Sequence, residues 1–505
     1  MRSQLDRDAI IHFPMQHEGL IVSGLSDAAQ TNGEAEILAN MTARALPGWV
    51  REFIQRGQDM LTGGSLHGKI LRNVGWMAIS FATDVVVRLI SSVILTRLLD
   101  PSAYGLISTV MVFMVFVTLL SDLGIKSIVN ADARGDDPDF LSLLWTMQVM
   151  RGLISAAAVC LIGALWQYAI AVHWIAPGSS YANPLLPQLI YLVSFGLVLM
   201  GFGSLNEYRL MRHLDGGPIT RVEIISRVFT SVTTVILAFI FRSVWAIALG
   251  MVLSYGLRAI LTHIMLAGPR MRLRFHWPEI RNILTLSRWV ALNSFMTVLT
   301  TQADKALIGW GFGLTTLGIY SISLALYSSA ATVVDKLNST LGIPVIRALL
   351  DKPEAERMRD YYKFRLPIDA YCAVGGTAMV LLGPLFFKLV YDPRYVTGGV
   401  YFALFGLKLV LLPMHLSGNF LFAQLRYKLM SMIGMLRSVI FLSGMLLSVW
   451  LQSIHLMVVF IAFEILPEIL AYFMLRRTGI PFNAKRDGML LGLVAVLGAY
   501  LLLIN

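Results

Sequence analysis

The sequence predicts an all-α polytopic membrane protein. It would be built from two six-helix lobes related by a parallel internal repeat, with a thirteenth helix at the C-terminal end. Three observations carry this expectation. Of the 505 residues, 56% are hydrophobic and 14% are charged, whereas a soluble domain carries about 25% charged residues. Apolar stretches of roughly 20 residues, the length that crosses a bilayer, recur from Trp76 onward. And the stretch 105–122 returns 213 residues later, at 318–335. Such stretches must be helical, because lipid offers no partner to a free backbone amide or carbonyl.

Taken in order, helices are expected near 73–98, 103–124, 141–165, 186–205, 220–241, 244–266, 288–311, 313–336, 366–390, 398–421, 429–451, 456–475 and 488–504. The first 70 residues are polar, lack the apolar region of a signal peptide, and read as a largely disordered cytoplasmic tail. Within it, GWVREFIQRGQDML (48–61) is a candidate for a short helix lying on the membrane surface. The implied organisation is a tail (1–70), a first lobe (71–267), a cytoplasmic linker (268–287), a second lobe (288–477), and a linker with the extra helix (478–505).

With the tail inside, cytoplasmic segments hold 29 of the 41 Lys and Arg. External turns hold Arg97, Arg242, Lys388 and Arg394, and eight basic residues fall within helices. Positive loops stay in the cytoplasm, so the N-terminus is cytoplasmic and the last helix ends outside. The net charge of +11 is then a property of loops, not of a nucleic-acid surface. Cys160 and Cys372 lie in apolar runs and read as small packing residues. No Cys or His cluster suggests a metal, and no cofactor is expected. The longest external loop, 166–185, has His173 but no acid and no Lys or Arg. That argues against a membrane glycosyl polymerase or ligase, a class that needs a large external loop with acceptor-binding Arg or His.

The repeat places Gly105 opposite Gly318, Ser108 opposite Ser321, and Asp122 opposite Asp335. A second echo sets SRVFTSV (226–232) against LRSVIFL (436–442), so that Arg227 meets Arg437, and ILTHIML (260–266) against ILAYFML (469–475). An even number of helices per repeat gives two halves of the same orientation, related by an axis along the membrane normal. The junction RLLDPSAYGL (97–106) is then a hairpin between the first two helices. Asp100-Pro101 stops the first, Ser102 stands ready to cap the second, and Gly105 permits close packing.

Three motifs then stand in order: RLLDPSAYGL (97–106), SDLGIKSIV (121–129) and LLWTMQVMRGL (143–153). Together they resemble the oligosaccharide flippases of the polysaccharide-transporter branch of the multidrug/oligosaccharidyl-lipid/polysaccharide (MOP) exporter superfamily. Members of that family show an R-x-L-x-P-x-x-[FY]-G turn, a D-L-G closing the second helix, and a W followed by R-G in the third. The resemblance implies a bacterial inner-membrane protein with a MATE-like pair of lobes around a cation-lined cavity. It implies translocation of a polyprenyl-pyrophosphate-linked glycan to the outer leaflet for surface polysaccharide or exopolysaccharide synthesis. The movement would proceed by alternating access, coupled to an ion gradient, beside a polysaccharide polymerase and glycosyltransferases. A cation-coupled multidrug exporter and a lipid II flippase of the same superfamily are the alternatives.

Ionisable groups at membrane depth are costly and mark functional candidates. The basic ones are Arg88, Arg151, Arg227, Arg258, Lys305, Lys336, Lys408 and Arg437; the acidic ones are Asp84, Asp122, Glu223, Asp304, Asp335, Asp369, Glu464 and Glu468. Asp122, Asp335, Lys336 and Asp369 fall near helix ends, where side chains reach water. Asp84 with Arg88, and Glu223 with Arg227, are spaced as ion pairs one helical turn apart. The first and seventh spans open the two lobes and would face each other, so Arg88 and the Asp304-Lys305 pair lead as ligands for a pyrophosphate. Arg151, Arg258, Lys408 and Arg437 are further cavity candidates. Arg can grip a phosphate through two parallel hydrogen bonds, while Lys acts as a point charge. Asp84 or Asp304 could instead hold the coupling ion, and the residues alone leave both roles open. Glu464 and Glu468, one turn apart beside Pro467 with no evident basic partner, suggest a second cation or proton site. The acidic loop DARGDDPD (132–139) reads as solvated, and GGSLHGK (63–69) lacks the spacing of a phosphate loop.

The orientation has a direct check. A reporter active only in the periplasm is expected to work when inserted near Ser179 or Tyr395, and to stay silent near Arg274 or Lys352. Activity at Lys352 would invert the topology.

Overall fold

A computed structural model describes residues 66–504, apart from 177–178, 214, 339–341, 425, 476–480 and 484. The expected tail and the surface helix at 48–61 lie outside the described residues. The chain divides into two units, Met1–Val74 and Gly75–Asn505. Of the first, the opening turns of one helix are described; the second holds the rest of that helix and all the others.

In chain order the helices are α1 (Leu66–Leu98), α2 (Pro101–Leu120), α3 (Ile125–Ala131), α4 (Pro138–Ala171), α5 (Leu185–Gly201) and α6 (Asn206–Arg212). Then come α7 (Gly216–Phe241), α8 (Trp245–Met265), α9 (Trp277–Leu337), α10 (Ile343–Leu350) and α11 (Glu354–Val390). The chain closes with α12 (Gly398–His415), α13 (Asn419–Ala423), α14 (Tyr427–Trp450), α15 (Ile454–Ala462), α16 (Leu466–Met474) and α17 (Arg486–Ile504). No strand occurs among the described residues. Eleven of the described helices are long and apolar enough to cross a membrane, or twelve if the bent pair α5 and α6 forms one span.

The seventh and eighth expected spans run together in α9, but its helical backbone breaks at Gly313, with φ 91° and ψ 167°. That region of backbone space is open to glycine alone. At an offset of 213, Gly313 stands where the first half has Asp100, the residue that separates α1 from α2. Asp100 holds the N-cap position of α2 with Pro101 following, and its side chain makes no capping hydrogen bond, so Ser102 lies inside the first turn and does not cap it. Proline at the first helical position lacks only an amide that would have no partner there.

The helices after each break, α2 and the second part of α9, cross with backbone against backbone. A Cβ on Gly105 would sit 2.0 Å from the Leu314 carbonyl oxygen, and one on Gly318 would sit 1.8 Å from that of Pro101. Leu314 is the repeat equivalent of Pro101, and Gly318 that of Gly105. The contact is therefore reciprocal, the form that a two-fold relation imposes. Between them Ser108 Oγ donates to Ser321 Oγ at 2.7 Å, joining a residue to its own equivalent 213 positions on.

Two large hydrophobic clusters flank this crossing. One gathers Leu99, Val110, Val159, Leu189 and Ala246 from the chain up to α8, together with Leu314 of α9. The other gathers Tyr320, Val380, Phe405, Met445 and Leu497 from the later helices. Tyr104 packs against both. The last helix is bound into the second cluster by charge as well as by Leu490 and Val494. Arg365 is 1% exposed; its Nε donates to Asp369 at 2.9 Å and its Nη2 to Asp487 in the first turn of α17. Tyr362 Oη also donates to Asp487. Arg365 falls one residue before the span expected at 366–390, so the apolar pattern alone puts it on the cytoplasmic side rather than in the interior.

Gly105→Ala and Gly318→Ala are each expected to destabilise the protein by about 1–3 kcal/mol through overpacking. Melting in detergent checks this, with Gly434→Ala as the control, since a Cβ there meets nothing within 4 Å. Unchanged melting of both crossing variants would refute the close approach.

Candidate functional site

Two adjoining cavities hold half of the sixteen ionisable groups expected at depth. The first, about 510 Å3, is walled by α1 (Asp84, Arg88), α7 (Glu223, Arg227), α8 (Tyr255, Arg258) and α9 (Lys336). The second, about 520 Å3, shares Tyr255 and Arg258 and adds Asp122, Lys126, Arg151 and Glu207. One face of α8 thus borders both.

Glu207 reaches its cavity because the chain bends by 54° between α5 and α6. A bend at membrane depth frees backbone groups that need partners. Gln148 Nε2 donates to the carbonyls of Gly201 (3.0 Å) and Gly203 (2.9 Å), and Ser204 N donates to Thr262 Oγ1 at 3.0 Å. The same bend brings Gly201 against Gly152, where an added Cβ would approach within 3.1 Å of the Gly201 Cα. The R-G of the third motif therefore has two uses: Gly152 admits α5, and Arg151 faces the cavity.

The arginines are clamped on acids. Arg88 Nη2 donates to Asp84 Oδ2 at 3.0 Å, as the one-turn spacing implied. Arg227 Nε lies 2.8 Å from Asp84 Oδ1, near enough for charge contact but not aligned as a hydrogen bond. Arg258 Nη2 donates to both oxygens of Glu207, at 2.9 and 3.0 Å. Arg151 stands 3.5 Å from Asp122. The expected Glu223–Arg227 pair does not form: Glu223 accepts from Ser80 at 3.2 Å, and Asp84 on α1 takes Arg227 instead. Asp84 is 18% exposed between its two guanidiniums.

The candidates of the second half lie elsewhere. Lys305 does not line the cavity of Arg88; its ammonium donates to Gln302 Oε1, one turn away on its own helix, at 3.0 Å. The seventh span therefore does not present it across from Arg88. Asp304 is buried and accepts from Tyr320 Oη at 2.5 Å, while its other oxygen has no hydrogen-bond partner. Glu464 and Glu468 both have basic partners, contrary to the expectation from sequence. Lys408 Nζ is 3.0 Å from Glu464, and Arg437 Nη1 and His415 Nδ1 are 3.0 and 2.9 Å from Glu468. Nor do the two acids share one regular helical face. The helix breaks between α15 and α16, leaving Glu464 in the break and Glu468 in a new first turn behind Pro467.

Thus Arg88, Arg151 and Arg258 come together, and Lys305, Lys408 and Arg437 do not join them. Arg227, Glu207 and Lys126 complete the site without having been singled out as cavity residues, and Lys336 enters although its helix-end position had discounted it. The loop 132–139 is also more than solvated. Asp136 meets Arg212 at 3.5 Å and His213 at 2.7 Å, and Arg134 meets Glu279 at 2.8 Å. The hydrogen bond from His213 holds the Asp136 carboxyl below the usual carboxylate range, and Arg134 does the same for Asp132. Its D-P-D is a helix start: Asp137 caps α4 by accepting from Asp139 N at 3.1 Å. No group of three or more His, Cys, Asp or Glu able to hold a metal occurs among the described residues.

The chain is similar to known proteins in family and in fold. The family model for polysaccharide biosynthesis proteins matches residues 94–381. The chain belongs to that family. An uncharacterized membrane protein in the cps region of Klebsiella pneumoniae is 20% identical over 422 residues, covering 81% of this chain and 83% of that protein. The lipopolysaccharide biosynthesis protein WzxC of Escherichia coli K12 is 22% identical over 317 residues, 62% of this chain and 60% of that one. Among solved structures, the lipid II flippase MurJ in an inward closed conformation superposes with a TM-score of 0.55 at 13% identity, over 84% of this chain and 91% of that one. A MATE in complex with MaL6 superposes with a TM-score of 0.53 at 14% identity, over 86% and 99%. The fold is that of the MOP-superfamily transporters.

Chemically, two arginines that share one carboxylate can hold a polyanion only by displacing Asp84. Asp84→Asn removes that competitor. The purified variant is expected to bind inorganic pyrophosphate about tenfold more tightly, the scale of one lost charge-assisted hydrogen bond. Calorimetry checks it, and weaker binding than wild type would contradict the competition.

Proposed function

We propose that the protein translocates a polyprenyl-pyrophosphate-linked oligosaccharide across the bacterial inner membrane, from the cytoplasmic leaflet outward, for surface polysaccharide or exopolysaccharide synthesis. The observation that carries this reading is the clamp of Arg88 and Arg227 on Asp84 inside a polar cavity at membrane depth. Two guanidiniums on one carboxylate leave the clamp with a surplus positive charge, and ionisable groups held at that depth mark functional sites. Arg258 and Lys336 extend the positive wall. A pyrophosphate entering between the two guanidiniums replaces Asp84 with a better partner, because each phosphate accepts parallel hydrogen bonds. The family membership and the cps-region and WzxC relatives support a role in polysaccharide assembly. The substrate would arrive from glycosyltransferases and pass to a polymerase.

For coupling to an ion gradient the reading assigns Asp304. Asp84, Glu464 and Glu468 are each held by basic groups, whereas Asp304 has Tyr320 as its hydrogen-bond partner and one oxygen unpartnered. A carboxylate oxygen without a partner leaves a lone pair open to a coupling ion.

The test separates substrate binding from structural pairing. If Arg88 serves only Asp84, removing both should restore function. The Asp84→Ala/Arg88→Ala double variant is instead expected to insert normally and to leave surface polysaccharide at least tenfold below wild type. Arg88→Lys should keep part of the activity, since charge remains while bidentate bonding is lost. Arg281, exposed at the start of α9, should tolerate Ala. Wild-type polysaccharide from the inserted double variant would rule out the role given to Arg88.

A further inference from the structure

Arg88 lines a second space besides the charged cavity. On an adjoining face of α1, with Phe81 as well as Arg88 shared between the two spaces, lies a groove of about 420 Å3, within the range of ligand pockets. Its walls are Phe81 and Val85 of α1, Leu326 of α9, and Met379, Leu382 and Phe386 of α11. Arg88 is the one charged residue among those lining it. The other polar lining groups have partners on the protein. Ser329 Oγ donates to the Ala325 carbonyl at 3.0 Å, and Tyr371 Oη to the Ala330 carbonyl at 3.1 Å. Away from Arg88 the groove therefore offers hydrocarbon and aromatic surface.

Arg88 also stands at the joint between the two spaces. Its Nη2 is turned to Asp84 in the charged cavity, and its Nη1 donates to the carbonyl of Ala325, beside Leu326, at 3.4 Å. A molecule with its charged end at this guanidinium has apolar surface immediately beside it for a chain, because Phe81 and Arg88 line both spaces. We infer that this groove seats the first isoprene units of the lipid-linked substrate, so that α9 and α11 hold the chain while α1, α7 and α8 hold the pyrophosphate. The inference rests on the function proposed above and adds a site to it. Lipid tails are as apolar as any groove, so burial alone gives no preference; the attraction comes from close packing of a methyl-branched chain and from its tether to the anion at Arg88.

The probes are inorganic pyrophosphate and farnesyl pyrophosphate, titrated against the full-length protein in nanodiscs. Wild type is expected to bind farnesyl pyrophosphate at least tenfold more tightly than inorganic pyrophosphate. Ala378 is exposed and lines the groove, so Ala378→Trp fills it from a position outside the charged cavity. That variant should reduce the preference to within threefold while leaving the affinity for inorganic pyrophosphate unchanged. Ala378→Leu, a smaller addition, should give an intermediate value and serves if the Trp variant does not melt as wild type does. Val374→Trp, exposed on α11 outside the groove, should leave the preference intact. An equal preference in wild type and both Ala378 variants would overturn the groove while leaving the pyrophosphate site standing. Binding of neither probe by wild type would remove the proposed function and the groove together.

Discussion

Two helices of this protein touch through bare backbone, and much of the remaining structure is arranged around that contact. At the crossing of α2 with the second part of α9, Gly105 and Gly318 each lie against the carbonyl of the other helix's first turn. Nearby contacts join the same two sets of helices. Tyr395 Oη donates to the Leu99 carbonyl at 2.9 Å, Tyr181 Oη to the Ala306 carbonyl at 2.7 Å, and Ser92 bonds with Tyr391 at 2.8 Å. Arg394 pairs with Asp100, the residue at the turn of the first hairpin. In the proposed topology these residues are at the external end, so the arginine cavity would be closed from outside. Translocation would then require this set of contacts to part, and the small residues at its centre would let them re-form without a barrier of interlocked side chains.

The backbone keeps the repeat more faithfully than the charges do. Arg227 and Arg437 are equivalent in the second echo, yet Arg227 serves Asp84 on another helix while Arg437 joins His415 around Glu468. In the first half the paired charges line open cavities. In the second half Glu464 and Glu468 are tied to Lys408, Arg437 and His415, and Asp304 stands apart with Tyr320. One architecture thus supports a proposed anion site in one half and a proposed ion-coupling site in the other.

The spans, their approximate limits and the reciprocal glycines were legible in the sequence, because bilayer thickness and the lack of a Cβ act on local stretches. Asp84 with Arg88 was legible too, since one turn of helix brings them together whatever the fold. Arg227 was misread for the complementary reason: its nearest acid in sequence is Glu223, but its nearest in space is Asp84 from another helix. Glu207 depended on a bend of 54° that the apolar pattern does not encode, although Phe202-Gly203-Ser204 marks where it could occur. Arg365 sits one residue outside an expected span, and a shift of one residue separates a solvated loop from a fully buried ion pair.

A cross-link at the centre of the crossing tests whether the two halves must part there. Ser108 and Ser321 are joined by a 2.7 Å hydrogen bond, so cysteines at both positions should form a disulfide under mild oxidation, in a background with Cys160 and Cys372 replaced. The measurement is translocation of lipid-linked oligosaccharide in membrane vesicles before oxidation, after it, and after reduction. Arrest on cross-linking and recovery on reduction is the expected result. Undiminished translocation by fully cross-linked protein would contradict the requirement that this contact open.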